Sequence, residues 1–418
     1  MAGLFVFLAV VVASYLLLRG PETAVIPSPQ PSGGSATGPG DEGADSRADD
    51  AGVLLDRLVS ALRDGSRADL LALAAPGDEA AASELSDLRH NVRALGVTDL
   101  SMRYVDEDDG RLSTGQQRRF GDRAWVADVQ LTWRVGGFDV HDSRLEVPVT
   151  LLETRRGAAF LSTRADVGGA TPLWMLQRVD VRRTGRALVA LAGNGSPQRF
   201  SGLADQAVVD VRKVLPGWRG RLVVEVPGDE QQLGRVLGSE SGSYGGIAAV
   251  TTTVDGSLSP QAPVHIFVNP RVFDPLGTRG SQIVMSHEAT HVATGAAVSS
   301  MPTWLLEGFA DFVALDHVDL PVSVTASQIL ARVRKAGPPA HLPGKTEFYP
   351  QNQALGASYE SAWLACRLLG ERYGEGRLIA FYRAADRDGS TTAAFRDLGT
   401  SEPAFTRAWK GYLRSLAG

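Results

Sequence analysis

A single cysteine, Cys366, stands in a chain of 418 residues. No intrachain disulfide can form and no thiolate cluster can hold a metal, so any metal ion must be bound by His and carboxylates. Cys366 lies among Trp363, Leu364 and Leu368 in a helical pattern, which marks it as a packed, inert thiol. Lysine is nearly absent, confined to Lys213, Lys335, Lys345 and Lys410. With a net charge of −5 and no dense Lys/Arg run, the chain lacks the electrostatic footprint of a nucleic-acid-binding protein. Its richest basic stretch, Arg178, Arg182, Arg183 and Arg186, is interrupted by apolar residues and reads as a solvated face. Histidine is scarce as well, with 7 residues, so any His pair at ligand spacing carries weight.

Long apolar runs are confined to the start of the chain. Ala2 to Leu18 is uncharged and almost wholly apolar, and at helical rise it comes close to spanning a bilayer core. The basic start and small-x-small site of a cleaved signal are not evident. Residues 1–19 are therefore expected to be an uncleaved membrane anchor. Arg19 alone follows the run, so the positive-inside rule does not set its orientation. Residues 20–50 are rich in Pro, Gly, Ser and short acidic side chains and read as a disordered linker. Such a stalk makes most sense if the folded part stands outside the cytoplasm, on a single-pass cell-membrane protein.

The remaining length suits two folded units of α+β class. In the first, residues 51–192, apolar residues recur at helical spacing from Val53 to Leu73, broken at Gly65. Ala124 to Trp133, Arg144 to Leu152 and Ala158 to Ala165 then read as antiparallel strands. Helices followed by a strand meander loosely resemble the cone-shaped domains similar to nuclear transport factor two. His90 and His141 are isolated there, and nothing in this unit looks catalytic. The second unit, residues 198–418, begins with a helix from Leu203 to Leu215, a strand from Arg221 to Val226 and a helix from Glu230 to Leu237. Strands at Gly246 to Thr253 and Val264 to Asn269 follow, and from Ser281 the pattern is helical almost to the end. A small sheet on a mainly helical body is expected.

The chemistry concentrates in His287-Glu288-Ala289-Thr290-His291. On a helix, residues at i and i+4 share a face, so both imidazoles can reach one metal ion. Glu288 then points beside the metal, where it can take a proton from water. A chance match in a chain this poor in His arises on the order of once in a hundred sequences or less. Ile283, Val284 and Val292 give the segment a buried stripe, and Gly295 is placed to end the helix. Pro302 suits the start of a second helix, on which Glu307 lies about where a third ligand must come from.

His287-Glu-Ala-Thr-His291 followed by Trp304-Leu-Leu-Glu307-Gly-Phe-Ala-Asp311 closely resembles the gluzincin metallopeptidases, the thermolysin-like group. The resemblance covers roughly Ser201 to Leu416. It implies that Glu307 completes a Zn2+ site with His287 and His291, and that Asp311 accepts the other ring N–H of a ligating His. The His six residues beyond the second ligand that marks metzincins is absent, because position 297 is Ala297. Two histidines and a carboxylate leave a position open, as catalytic sites do. Glu288 would serve as general base. Tyr359 resembles the Tyr at the start of a downstream helix that stabilises the oxyanion in several gluzincin families, with Tyr349 and His341 as competitors. His265 and His317 read as bystanders. The segment Gly246, Ile247, Ala248 and onward to Thr251 is the expected substrate-binding strand, pairing with an extended peptide or protein substrate. The aminopeptidase branch places a Gly-x-Met-Glu-Asn segment there. This chain has no carboxylate between Ser241 and Thr253, so internal bonds should be preferred. The competing reading is a catalytically silent binding module that docks a protein partner at the cell surface. The presence of Glu288, which such a module could most easily lose, speaks against it.

Protease added to intact cells is expected to shave the protein within the Pro/Gly-rich stalk, where backbone is exposed. Protection in intact cells combined with cleavage after lysis would place the folded part inside.

Overall fold

The structure is a computed structural model that describes residues 41–418 except 108–111, 113, 165–167, 240–241 and 317. The expected anchor, most of the stalk and His317 lie outside the described residues. Among those described, no helix is long and apolar enough to cross a membrane.

The chain is mixed α+β with two sheets. It opens with α1 (Asp41–Arg63), α2 (Arg67–Leu71), α3 (Glu79–Leu95), β1 (Val97–Glu107), α4 (Thr114–Phe120), β2 (Ala124–Val135), β3 (Ser143–Thr154) and β4 (Gly157–Ser162). Then come α5 (Leu173–Leu176), β5 (Val179–Arg183), β6 (Ala187–Ala192), α6 (Pro197–Val214), β7 (Leu222–Val226), α7 (Glu230–Leu237), β8 (Ala249–Thr253), β9 (Val264–Val268) and α8 (Pro270–Phe273). The helical body holds α9 (Gly277–Thr294), α10 (Thr303–Leu315), α11 (Val322–Thr325), α12 (Ser327–Ala336), α13 (Leu355–Tyr373), α14 (Glu375–Asp388), α15 (Thr392–Asp397) and α16 (Glu402–Ala417).

The first sheet is an antiparallel meander in the order β1-β2-β3-β4. Its alternation is that of strands with one face on a core: Trp125 pairs with Leu151, Ala127 with Val149 and Val129 with Val147, all buried. Leu54, Leu55, Leu58 and Leu62 of α1 belong to the same core, with Leu85, Leu88 and Val92 of α3. α2 opens on a capping box in which Ser66 Oγ and the Asp69 carboxylate each accept the other's backbone N–H. α3 is capped by Asp78, whose carboxylate accepts from the Ala81 N–H at 2.9 Å. Residues 41–50, read from composition as stalk, are helix instead. Arg47 holds that turn down, donating to the Asp122 carbonyl, lying near the Glu107 and Glu153 carboxylates and stacking over Trp125.

The second sheet runs β5-β6-β7-β9-β8, with β6, β7 and β9 parallel and the edge strands β5 and β8 antiparallel. The boundary expected at 192 thus cuts through a sheet: β5 and β6 pair onward to β7. β6 is buried at every position, so it reads as an unbroken apolar run and shows none of the period-two signal that marks a half-exposed strand. Apolar packing is continuous from Ala51 to Leu413.

Polar contacts also lock the two sheets together. The connection between β2 and β3 reaches the second sheet with Phe138 between the guanidinium groups of Arg183 and Arg221. Arg183, expected on a solvated face, donates to the carbonyls of Leu95 and Gly136. Beside it Asp139 Oδ1 meets His265 Nε2 at 3.0 Å, and the other ring nitrogen meets Glu225 Oε1 at 2.7 Å. Burial opposes a charge on His265, but Asp139 and Glu225 outweigh it and raise the imidazole pKa to about 10 from its ordinary 6.5.

The native chain therefore holds this proton more tightly than the unfolded one. The contribution is complete below about pH 6.5 and is lost as pH rises through about 10. Asp139→Asn is expected to cost about 3–5 kcal/mol of unfolding free energy at the acidic end of that window, and less towards its alkaline end. Urea midpoints across the window measure this, and a pH-independent cost would show that the cluster is not charged.

Candidate metal centre

α9 is buried along most of its length, from Gly280 through His291 with few exceptions, because it lies between α6, α10 and β8. Polar keys set its rotation. Ser286 Oγ donates to Asp210 Oδ2 of α6 at 3.0 Å, and Gln282 Nε2 donates to the Leu203 carbonyl at 3.1 Å. The helix ends at Gly295, whose φ of 69° is left-handed and whose N–H returns to the carbonyls of His291 and Val292. α10 starts directly after Pro302. His287 and His291 thus face Glu307 from adjacent helices.

The three candidate ligand atoms form a compact triangle. His291 Nε2 lies 2.9 Å from His287 Nε2, His287 Nε2 lies 3.2 Å from Glu307 Oε2, and His291 Nε2 lies 3.4 Å from Glu307 Oε2. All three residues are at most 1% exposed. Ligands about 2.1 Å from a tetrahedral ion stand about 3.4 Å apart, close to these edges. Asp311, one turn beyond Glu307, faces His287 Nδ1 at 2.7 Å. With Nδ1–H donated to that carboxylate, His287 Nε2 is left with a lone pair directed at Glu307, itself an acceptor. A proton or a metal ion among the three reconciles the arrangement. The surroundings favour it: burial opposes a charged His287, yet Asp311 and Glu307 raise its pKa to about 10. Against the same burial, His291 and His287 hold Glu307 at about 2. His287, His291 and Glu307 can therefore hold a metal ion.

Glu288 is fully buried beside this triangle. Its Oε2 accepts from the Thr251 hydroxyl at 2.5 Å, while its Oε1 has no hydrogen-bond partner. Burial raises its pKa, against His291, His287 and Thr251. Tyr359 occupies the second turn of α13, its ring 6.2 Å from that of His287 and 5.0 Å from Phe348. Its hydroxyl is also buried without a partner, and burial together with the carboxylates of Glu307, Asp311 and Glu288 keeps it a phenol. Each of these two oxygens thus lacks the partner that a buried polar atom ordinarily has. α13 comes this close because residue 308 is glycine: a Cβ there would stand 2.3 Å from the Ala362 carbonyl oxygen and 3.0 Å from Cys366 Sγ. Cys366 itself is fully buried, and burial raises its thiol well above the ordinary value.

The other candidates lie elsewhere. His341 is exposed and pairs with the Leu342 carbonyl, and Tyr349 packs half-buried on the core. His90 bonds the Val179 carbonyl at 3.2 Å, and His141 is exposed. Gly246, Ile247 and Ala248 are not strand. Ile247 N–H returns to the Tyr244 carbonyl and the Ala248 carbonyl accepts from Asn269 N–H, so the edge strand begins only at Ala249. The glycine-rich run before it turns, and the buried Tyr244 anchors that turn. Thr251 escaped notice as a polar partner of Glu288, since no spacing rule links residues 37 positions apart. Comparisons with family models, curated proteins and solved structures gave no match.

Glu307→Ala is expected to weaken divalent-metal affinity by more than the roughly 10- to 100-fold loss expected for Asp311→Asn. Competition titration against a chromophoric chelator reads both. Unchanged affinity in Glu307→Ala would move the third ligand elsewhere.

Proposed function

We propose that this protein is a zinc metallopeptidase of the gluzincin type, cutting within extended peptide or protein chains. One observation carries the reading: a buried His287–His291–Glu307 triangle of possible ligand atoms, and beside it a carboxylate, Glu288, with one oxygen unused. Two imidazoles and one carboxylate are a donor set that suits zinc, and three protein ligands characterise catalytic rather than structural sites. When bound, the ion supplies Lewis acidity towards a water and the scissile carbonyl.

The chain's own residues supply the rest. Glu288 accepts a proton from the attacking water and returns it to the leaving amine. Its environment suits that exchange, because burial lifts its proton affinity while the neighbouring histidines restrain the rise. Tyr359, kept protonated, donates its O–H to the oxygen that gains charge. Asp311 fixes the tautomer of His287. β8 is an edge strand, but all its residues are buried, so an extended substrate could pair there only if the segments over that edge moved aside. With no carboxylate between Ser241 and Thr253 to receive a terminal ammonium, cleavage falls at internal bonds. A tether through residues 1–19 would place this activity at the cell membrane, on its outer side.

Glu288→Gln is expected to keep stoichiometric zinc and lose roughly 100- to 10,000-fold in turnover of an unfolded protein substrate. Tyr359→Phe should lose roughly 100- to 1,000-fold in kcat with zinc retained. Wild-type turnover by Glu288→Gln would sink the mechanism. Bound zinc without any turnover by the wild type would favour the binding-module reading.

A further inference from the structure

Thr251 is the one side chain that hydrogen-bonds the Glu288 carboxylate among the described residues, and it comes from the sheet rather than from either ligand helix. It is central in β8, paired with Ile266 of β9, and 1% exposed. Its hydroxyl has two oxygens of Glu288 in reach, Oε2 at 2.5 Å and the main-chain carbonyl at 3.2 Å. A hydroxyl carries one proton, and the shorter, charge-assisted contact takes it. The two oxygens of the carboxylate are thereby made unequal: Oε2 is held by the strand and Oε1 is left without a partner.

A Glu side chain has three rotatable bonds, and a helix backbone fixes only its root. The triangle of ligands does not orient Glu288, since none of them donates a hydrogen bond to its carboxylate in the contacts described. The apolar interior offers no other donor to either carboxylate oxygen. We propose that Thr251 is a positioning residue for the proton acceptor: by occupying Oε2 it fixes the rotation of the Glu288 carboxylate, so that Oε1 serves as the reacting oxygen. This rests on the reading of Glu288 as the group that receives the proton. It also gives β8 a role through a side chain, because the strand then carries the hydroxyl that aims the base.

The test compares Thr251→Val, which keeps the strand-compatible shape and loses the hydroxyl, with Thr251→Ser, which keeps the hydroxyl. Two readouts are used on the zinc-loaded protein: peptide turnover, and binding of acetohydroxamate by calorimetry, a ligand that surrenders its proton to a correctly placed carboxylate. In Thr251→Val, zinc affinity should be unchanged, acetohydroxamate affinity should fall roughly 10- to 100-fold, and kcat should fall similarly with KM nearly constant. Thr251→Ser should recover both to within about threefold of wild type. Thr251→Ala carries the expectation of Thr251→Val if the latter does not fold. Wild-type acetohydroxamate affinity in the hydroxyl-free variants overturns the proposal, as does an equal loss in Thr251→Ser, which would point to packing. The acetohydroxamate pattern without turnover in the wild type leaves the positioning role standing and removes the peptidase reading. Turnover undiminished in Thr251→Val does the reverse.

Discussion

Two imidazole nitrogens and a carboxylate oxygen gathered at one point inside a protein repel one another unless a proton or a metal ion lies between them. That constraint governs the architecture between Ser281 and Tyr373. Bringing the three atoms within 3.4 Å of each other requires α9 and α10 to lie side by side with little freedom of rotation. α9 is accordingly keyed to α6 through Asp210 and Ser286, and α10 is pressed against α13 at Gly308. The apolar shell around the ligands makes the requirement strict. In a solvated cleft bulk water would weaken the interactions among the three, whereas burial here strengthens them.

Among the described residues, the buried His265 and His287 each face two carboxylates, and the contrast between them is instructive. His265 spends its ring nitrogens on Asp139 and Glu225, one on each, so a single proton satisfies the group and no lone pair is left over. His287 gives Nδ1 to Asp311, while Nε2 is shared with Glu307 and a second imidazole. The first arrangement is a staple between sheets. The second gathers three possible ligand atoms at one point, so it could hold a metal ion. Composition alone does not separate the two, since each is a histidine among acids. Which nitrogen meets which oxygen does.

The sequence made the ligand helices legible because the information is local. His287 and His291 are one turn apart, Gly295 and Pro302 punctuate the turn between the helices, and Glu307 follows within a few residues of the second helix start. The helices and strands with clear periodicity were legible too, among them α6, α7, β7 and the hairpin of β2 and β3. What stayed hidden depends on distant partners. β6 is buried on both faces and has no alternation to reveal it. The pairing of β5 and β6 with β7, which moves residues 179–192 into the second sheet, is written in hydrogen bonds and not in composition. Residues 41–50 look like linker by their Gly, Asp and Ser content, yet Arg47 finds anchoring contacts on β1, β2 and β3 and on the turn before β2. His265 read as a bystander because Asp139 is 126 positions away.

The contact between Asp139 and His265 bears on how freely the two halves can be recombined. A linker-joined domain can be cut away or traded for another during evolution with little loss, since few of its interactions cross the joint. Here the half without the candidate metal site supplies the acid that neutralises a buried imidazolium in the other half, and strands adjoining it form one side of the sheet against which α9 rests. Severing the chain near residue 197 would strip that sheet of β5 and β6 and leave His265 with a single counter-charge. A break near residue 197 would therefore be felt on both sides of it, in the sheet that backs α9 and in the charge balance of His265.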